Sequence, residues 1–264
     1  MKRIMYVLLT TLLIGFASGC TPIDTPQNQA GTVISDTLNG VPCCIYLPFR
    51  YIERVQKTEV IFPVLYLHHG MYGNENDWPM QGRLVYYMDS LLQANVVKEM
   101  VVIMPDNCPH RPTSEEERAN AMSGEWERQF PQLMAEAEAA YRISREPSQR
   151  AIAGLSMGGF HTLHVSHHLP GQFACVGLFS AAIRPTDDND IYGQWEDEVR
   201  RQMQTTQLYW IAIGKEDFLY DYNAQYRRWL DDNQLEYTYY ESEGGHTWDN
   251  WQDYLCRFLP ELFQ

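Results

Sequence analysis

The chain has 264 residues, 45% of them hydrophobic and 13% aromatic; that supports one sizeable core, and a single α/β domain of this length is ordinary. Twenty Lys and Arg against 34 Asp and Glu leave a formal charge of −14. This excludes nucleic acid as an expected partner, because its phosphates would repel the chain.

The first twenty residues read as a signal peptide. Lys2 and Arg3 are basic, Ile4 to Phe16 is mostly apolar but short for a membrane span, and Ala17-Ser18-Gly19-Cys20 is small-residued and ends in a cysteine. This ending resembles the lipobox of bacterial lipoproteins, which implies a lipid on Cys20. Cleavage of an ordinary secretory signal near Gly19 is the alternative. Either way an exported protein is expected, periplasmic or held to a bacterial membrane only through that lipid. Residues 21–31 are polar, include Pro22 and Pro26 and form an expected flexible tether. Of the six cysteines, Cys43 and Cys44 would point to opposite faces of a strand, Cys175 and Cys256 lie in apolar runs, and no zinc-type spacing occurs.

From residue 32 to 264 strand and helix signals alternate. Thr32 to Leu38 and Cys43 to Leu47 flank Asn39-Gly40, a strong hairpin signal. Val64 to Leu67 is an apolar strand ending at His68-His69-Gly70. Leu84 to Val97 has helical spacing, and Met100 to Met104 is a strand stopped by Pro105-Asp106-Asn107. Trp126 to Tyr141 is an amphipathic helix. Ala151 to Gly154 is a strand and Met157 to His168 a helix, stopped by Pro170-Gly171. Then follow strand Phe173 to Phe179, charged helix Gln194 to Gln204, strand Leu208 to Ile213, helix Tyr222 to Asp232, strand Tyr237 to Tyr240 and a last helix Trp248 to Phe263. Short, fully apolar strands between helices predict an α/β fold: a mostly parallel sheet covered on both faces, with the hairpin as an antiparallel edge. In such sheets the site lies at the carboxyl ends of the strands.

Gly154-Leu155-Ser156-Met157-Gly158 fits the G-x-S-x-G elbow, with a strand before it and a helix after it. The elbow lifts the Ser156 hydroxyl clear of the sheet, and the helix start favours developing negative charge. A serine needs a base. Chain order requires it after the last strand, where His246 lies in Glu243-Gly244-Gly245-His246-Thr247-Trp248. The acid belongs after the preceding strand, in Gly214-Lys215-Glu216-Asp217-Phe218. Asp217 is the first choice to orient the imidazole, with Glu216 and Asp221 as competitors. Oxyanion donors are expected at the backbone N–H of Met157 and of Met71, with Tyr72 as the neighbouring alternative. An imidazole base also implies a rate that falls at acid pH.

These motifs, with His69-Gly70 and the run Asn74-Glu75-Asn76-Asp77-Trp78, occur together and in order. They resemble the esterase family of α/β-hydrolases that includes feruloyl and acetyl-xylan esterases, with S-formylglutathione hydrolases and mycolyl-type acyltransferases as more distant relatives. The resemblance covers roughly residues 32 to 264 and implies the same triad, Ser156, Asp217 and His246. It implies a serine esterase acting, without a cofactor, on small-molecule, oligosaccharide or polysaccharide esters. Met71 and Tyr72 stand where the family often has glycines. Transfer of the acyl group to a sugar or lipid hydroxyl is the second reading, and an inactive carbohydrate-binding surface protein the third. Trp78 and Trp248 are expected to stack on a sugar or ferulate ring, whereas Trp251 suits core packing. His161, His164 and His168 share a helical face with metal-like spacing, but a helix following the nucleophile normally packs on the sheet, so no metal is expected. The charged stretch from Asp187 to Arg201 is expected to be a solvated face or part of a lid.

Overall fold

The computed structural model describes residues 30–108, 111–122, 124–183 and 196–264. The leader with Cys20, the tether up to residue 29 and the charged stretch from Asp187 up to residue 195 lie outside the described residues. Among the described residues no helix is long and apolar enough to cross a membrane.

Eight strands form one sheet: β1 (Thr32–Leu38), β2 (Val41–Leu47), β3 (Val64–His68), β4 (Val101–Pro105), β5 (Arg150–Leu155), β6 (Cys175–Phe179), β7 (Leu208–Gly214) and β8 (Thr238–Ser242). Their order is β1-β2-β4-β3-β5-β6-β7-β8. β1 pairs with β2, and β2 with β4, antiparallel; the remaining pairs are parallel. This is the expected α/β-hydrolase arrangement, with the hairpin at one edge.

The parallel strands are apolar on both faces because both faces are covered. Alternate residues divide between two cores. Val64, Tyr66, Ile103, Ile152, Leu178 and Ile211 join one; Leu65, Leu67, Val102, Ala153, Phe179 and Ala212 join the other. Helices α5 (Glu125–Ala140), α6 (Met157–His168) and α8 (Tyr220–Asp232) contribute to the first through Phe130, Leu163 and Tyr226. Helices α3 (Leu84–Gln93) and α9 (Trp248–Phe258) contribute to the second through Met88, Tyr254 and Phe258. Helix α6 is buried along all but its last residue, which is why it carries no polar face. Helix α7 (Glu196–Thr205) buries Val199 and Gln202.

Some boundaries differ from the sequence reading. Helix α3 stops at Gln93 rather than Val97, and Asn95 takes a left-handed φ of 56°, a common way to end a helix. Helix α9 stops at Phe258, and a 3₁₀ turn containing Pro260 follows. Three short helices escape the apolar period: α1 (Tyr51–Lys57), α2 (Asp77–Met80) and α4 (Glu115–Ala121). Helix α4 buries no residue and starts at a capping box between Ser114 and Glu117, so its signal is in its polar residues.

Strand order reverses between β3 and β5, each chain segment leaving the sheet there in opposite directions. Such a switch point opens a crevice at the carboxyl ends of the strands. The hairpin that frames the far edge turns on Asn39 and Gly40, at φ 50° and 75°. A Cβ on Gly40 would meet nothing within 4 Å, so only backbone strain opposes it. Gly40→Ala is therefore expected to lower stability by about 1–2 kcal/mol, seen as a lower urea midpoint at unchanged slope.

Candidate functional site

Ser156 ends β5 and starts α6 with φ 54° and ψ −118°. Its N–H donates to the Phe179 carbonyl at 2.9 Å. Its own carbonyl accepts from Phe160 at 3.1 Å and from Ala182 at 2.9 Å. The flanking glycines are required by space. A Cβ on Gly154 would strike the Gly158 backbone and lie 2.8 Å from Thr162 Oγ1. One on Gly158 would strike the His69 carbonyl and lie 2.7 Å from that of His68. The Met157 N–H is in the first turn of α6, where no intrahelical acceptor exists.

The loop after β3 runs beside the serine: a Cβ on Gly70 would lie 3.5 Å from Ser156 Cβ. Gly73 N–H donates to the Gly70 carbonyl at 3.2 Å, closing a turn with Met71 and Tyr72 at its centre. Tyr72 has φ 67°, a strained value for a bulky residue. The loop is held from below by Asn107. Its amide accepts the His69 N–H at 3.1 Å and donates to the His69 carbonyl at 3.2 Å. β3 and β4 have ended here, so this side chain continues the strand pairing. The His69 ring is buried between the Gly70 carbonyl, 2.7 Å from Nδ1, and Asp106 Oδ1, 3.1 Å from Nε2.

The loops after β7 and β8 are joined through their main chains. Lys215 N–H donates to the Ser242 carbonyl at 3.0 Å and Glu216 N–H to that of Gly244 at 2.9 Å. This brings His246 Nδ1 to 2.8 Å from Asp217 Oδ2, while Asp217 Oδ1 accepts the Leu219 N–H at 2.9 Å. Burial pushes the Asp217 carboxyl up, but the hydrogen bonds from His246 and Leu219 outweigh it and hold it below the usual carboxylate range. With Nδ1–H donating to Asp217, Nε2 is left as the proton acceptor. The competing acids Glu216 and Asp221 are exposed, whereas Asp217 is buried.

Ser156, Met157, Met71, His246 and Trp248 all line one cleft of about 1120 Å³. No hydrogen bond joins the Ser156 hydroxyl to His246 among the described residues; such contacts in hydrolases commonly tighten only with substrate in place. Trp78 departs from the expectation. Its ring is fully buried, packs edge-on to Phe179 and Trp248, and its indole N–H donates to the His68 carbonyl at 2.9 Å. The turn of α2 folds the indole under the loop, where it supports the main chain. On the histidine face of α6, His161 and His164 are buried and His168 is exposed. His161 Nδ1 lies 2.9 Å from Glu127 Oε1, and the His164 ring lies 4.2 Å from that of Phe160, tilted by 42°; among the described residues no group of three or more metal-ligating side chains forms.

Sequence reasoning missed several cleft residues. Glu115 and Arg118 come from α4, and Phe218 follows Asp217. The capping box could have located α4. No local pattern marks the Asn107 clamp.

A family model described as "Putative esterase" matches residues 39–262. An endo-1,4-beta-xylanase/feruloyl esterase of Xylanibacter ruminicola is 31% identical over 144 residues, which is 52% of this chain but 19% of that protein. An acetyl esterase of Caldicellulosiruptor saccharolyticus is 22% identical over 222 residues, covering 73% of this chain and 80% of that one. The structure of a CE1 ferulic acid esterase from the anaerobic fungus Anaeromyces mucronatus superposes with a TM-score of 0.75 at 21% identity, over 92% of this chain and 94% of its own. With that model matched across nearly all of the sheet, the chain belongs to the esterase family of α/β-hydrolases.

Proposed function

We propose that the protein is a serine carboxylic-ester hydrolase that removes acetyl or feruloyl-type groups from plant polysaccharides or their fragments. The observation that carries this reading is the 2.8 Å contact of His246 Nδ1 with Asp217, at the wall of the cleft onto which Ser156 opens. His246 Nε2 takes the Ser156 proton as Oγ attacks the ester carbonyl. The oxyanion is met by the N–H groups of Met157 and Met71. The carbon–oxygen bond to the alcohol breaks, and His246 returns the proton to that oxygen. Water, deprotonated by the same imidazole, then attacks the acyl-enzyme and releases the acid and free Ser156. The acyl groups are suggested by the relatives, one termed a feruloyl and one an acetyl esterase. Export, with a lipid on Cys20, would bring the enzyme to polymers outside the cell.

Three variants test the assignment. Ser156→Ala is expected to lower kcat on p-nitrophenyl acetate by about 10⁴ or more; near-normal turnover refutes it. Asn107→Ala removes the two side-chain hydrogen bonds to the His69 main chain and loosens the Met71 donor. It is expected to lower kcat by roughly 10–10² with little change in KM. Asp217→Asn should lower kcat by about 10⁴ through the wrong tautomer, and it also changes acid stability. The Asp217 carboxyl is held below its free value, so its contribution to stability is complete above about pH 4 and is lost as pH falls through the lowered folded value. Urea midpoints across that range should fall less steeply for the variant than for the wild type.

A further inference from the structure

Two aromatic rings pack on the His246 imidazole. Trp251 meets it edge-on at 4.8 Å and is 7% exposed; Phe218 lies at 4.5 Å, tilted by 52°, and is 64% exposed. Trp251 belongs to the core beneath α9. Phe218 does not: its ring is left in water at the cleft wall.

The reaction assigns a neighbour to that ring, given the reading of Ser156 as nucleophile and His246 as base. The departing alcohol oxygen must come within about 2.6–3.2 Å of Nε2 to take its proton. Its attached carbons then lie beside the imidazole, and the exposed group in contact with the imidazole is Phe218. We infer that Phe218 forms the leaving-group subsite and that the alcohol it takes is a ring-shaped polyol, a sugar, whose apolar C–H face lies on the phenyl ring. Such stacking uses the negative face of the aromatic ring. Exposure matters to this role. A buried ring would close around a small alcohol, whereas an open one lets a longer saccharide continue into solvent.

The test holds the acyl group constant and changes the alcohol. Wild type, Phe218→Ala and Phe218→Tyr are assayed on ethyl acetate and on a mono-acetylated methyl xylopyranoside. The measured quantity is the ratio of kcat/KM for the sugar ester to that for ethyl acetate. Phe218→Ala is expected to lower the ratio roughly five- to tenfold, the scale of one lost aromatic contact, and Phe218→Tyr to restore it. An unchanged ratio in Phe218→Ala, whatever the absolute rates, overturns the subsite, because the ring would then act on both alcohols alike. A wild type that hydrolyses neither ester also overturns it. In that case failure of Ser156 to react with a fluorophosphonate locates the error in the nucleophile assignment rather than at Phe218.

Discussion

Everything at this site depends on one strained residue. Ser156 holds φ 54° and ψ −118°, a conformation costing on the order of 1–3 kcal/mol for a side-chain-bearing residue. It persists because the surrounding main chain leaves no alternative: β6 accepts its N–H, while α6 and the segment after β6 donate to its carbonyl. The turn converts strand into helix within one residue, which lifts the hydroxyl off the sheet. It also sets the space around it. Because Gly158 has no side chain, the carbonyls of His68 and His69 approach α6 closely, and that approach delivers the loop of Gly70 and Met71 to the serine. A larger residue at 158 would disturb the elbow and the loop together.

Beneath the elbow a buried polar network holds the same geometry from the other side. Trp126 Nε1–H donates to His68 Nε2 at 3.2 Å, so His68 carries its proton on Nδ1 and donates it to Thr162 Oγ1 at 3.0 Å. This neutral form agrees with its burial, which together with His161 and His69 holds its pKa well below the usual imidazole range. The His68 carbonyl accepts the Trp78 indole N–H. One residue at the end of β3 is thereby tied to α2, α5 and α6. Nearby, burial would raise the Glu127 carboxyl, but His161 outweighs it and keeps the group ionised. A buried pair of this kind adds little net stability, and removing one partner strands a charge. The contact links α5 to α6.

The sequence makes the scaffold and the polar centre legible for different reasons. Buried parallel strands are continuous apolar runs, so their carboxyl ends can be found, and the fold requires the chemistry there. The elbow is legible because sterics demand glycine at 154 and 158. His246 and Asp217 follow from chain order. The burial of Trp78 is not legible locally, because Asp77 beside it lines the cleft, while its own direction is set by Phe179 and Trp248, which lie far along the chain. Asn107 looked like a strand stop, since a side chain replacing a strand partner shows only when two strand ends are side by side. Helix α4 has no apolar period because it packs nothing into the core.

These cases separate two kinds of residue. Groups that carry out the bond changes hang from main chain fixed by strand ends, and sterics restrict what can stand beside them. Much of the cleft wall comes from segments with few such ties: α4 buries none of its residues, yet Glu115 and Arg118 line the cleft. Residues free of packing constraint can vary without harming the fold, so the pattern announces an esterase family without announcing an ester. Phe218 differs from the rest of the wall. It is one bond from Asp217, on a loop whose N–H groups are fastened to the carbonyls of Ser242 and Gly244. Its backbone is as fixed as that of the acid, while its side chain, mostly in solvent, supports nothing in the core. A position with a fixed backbone and a ring that packs on His246 yet stays mostly in solvent is one where the side chain can change without disturbing the core.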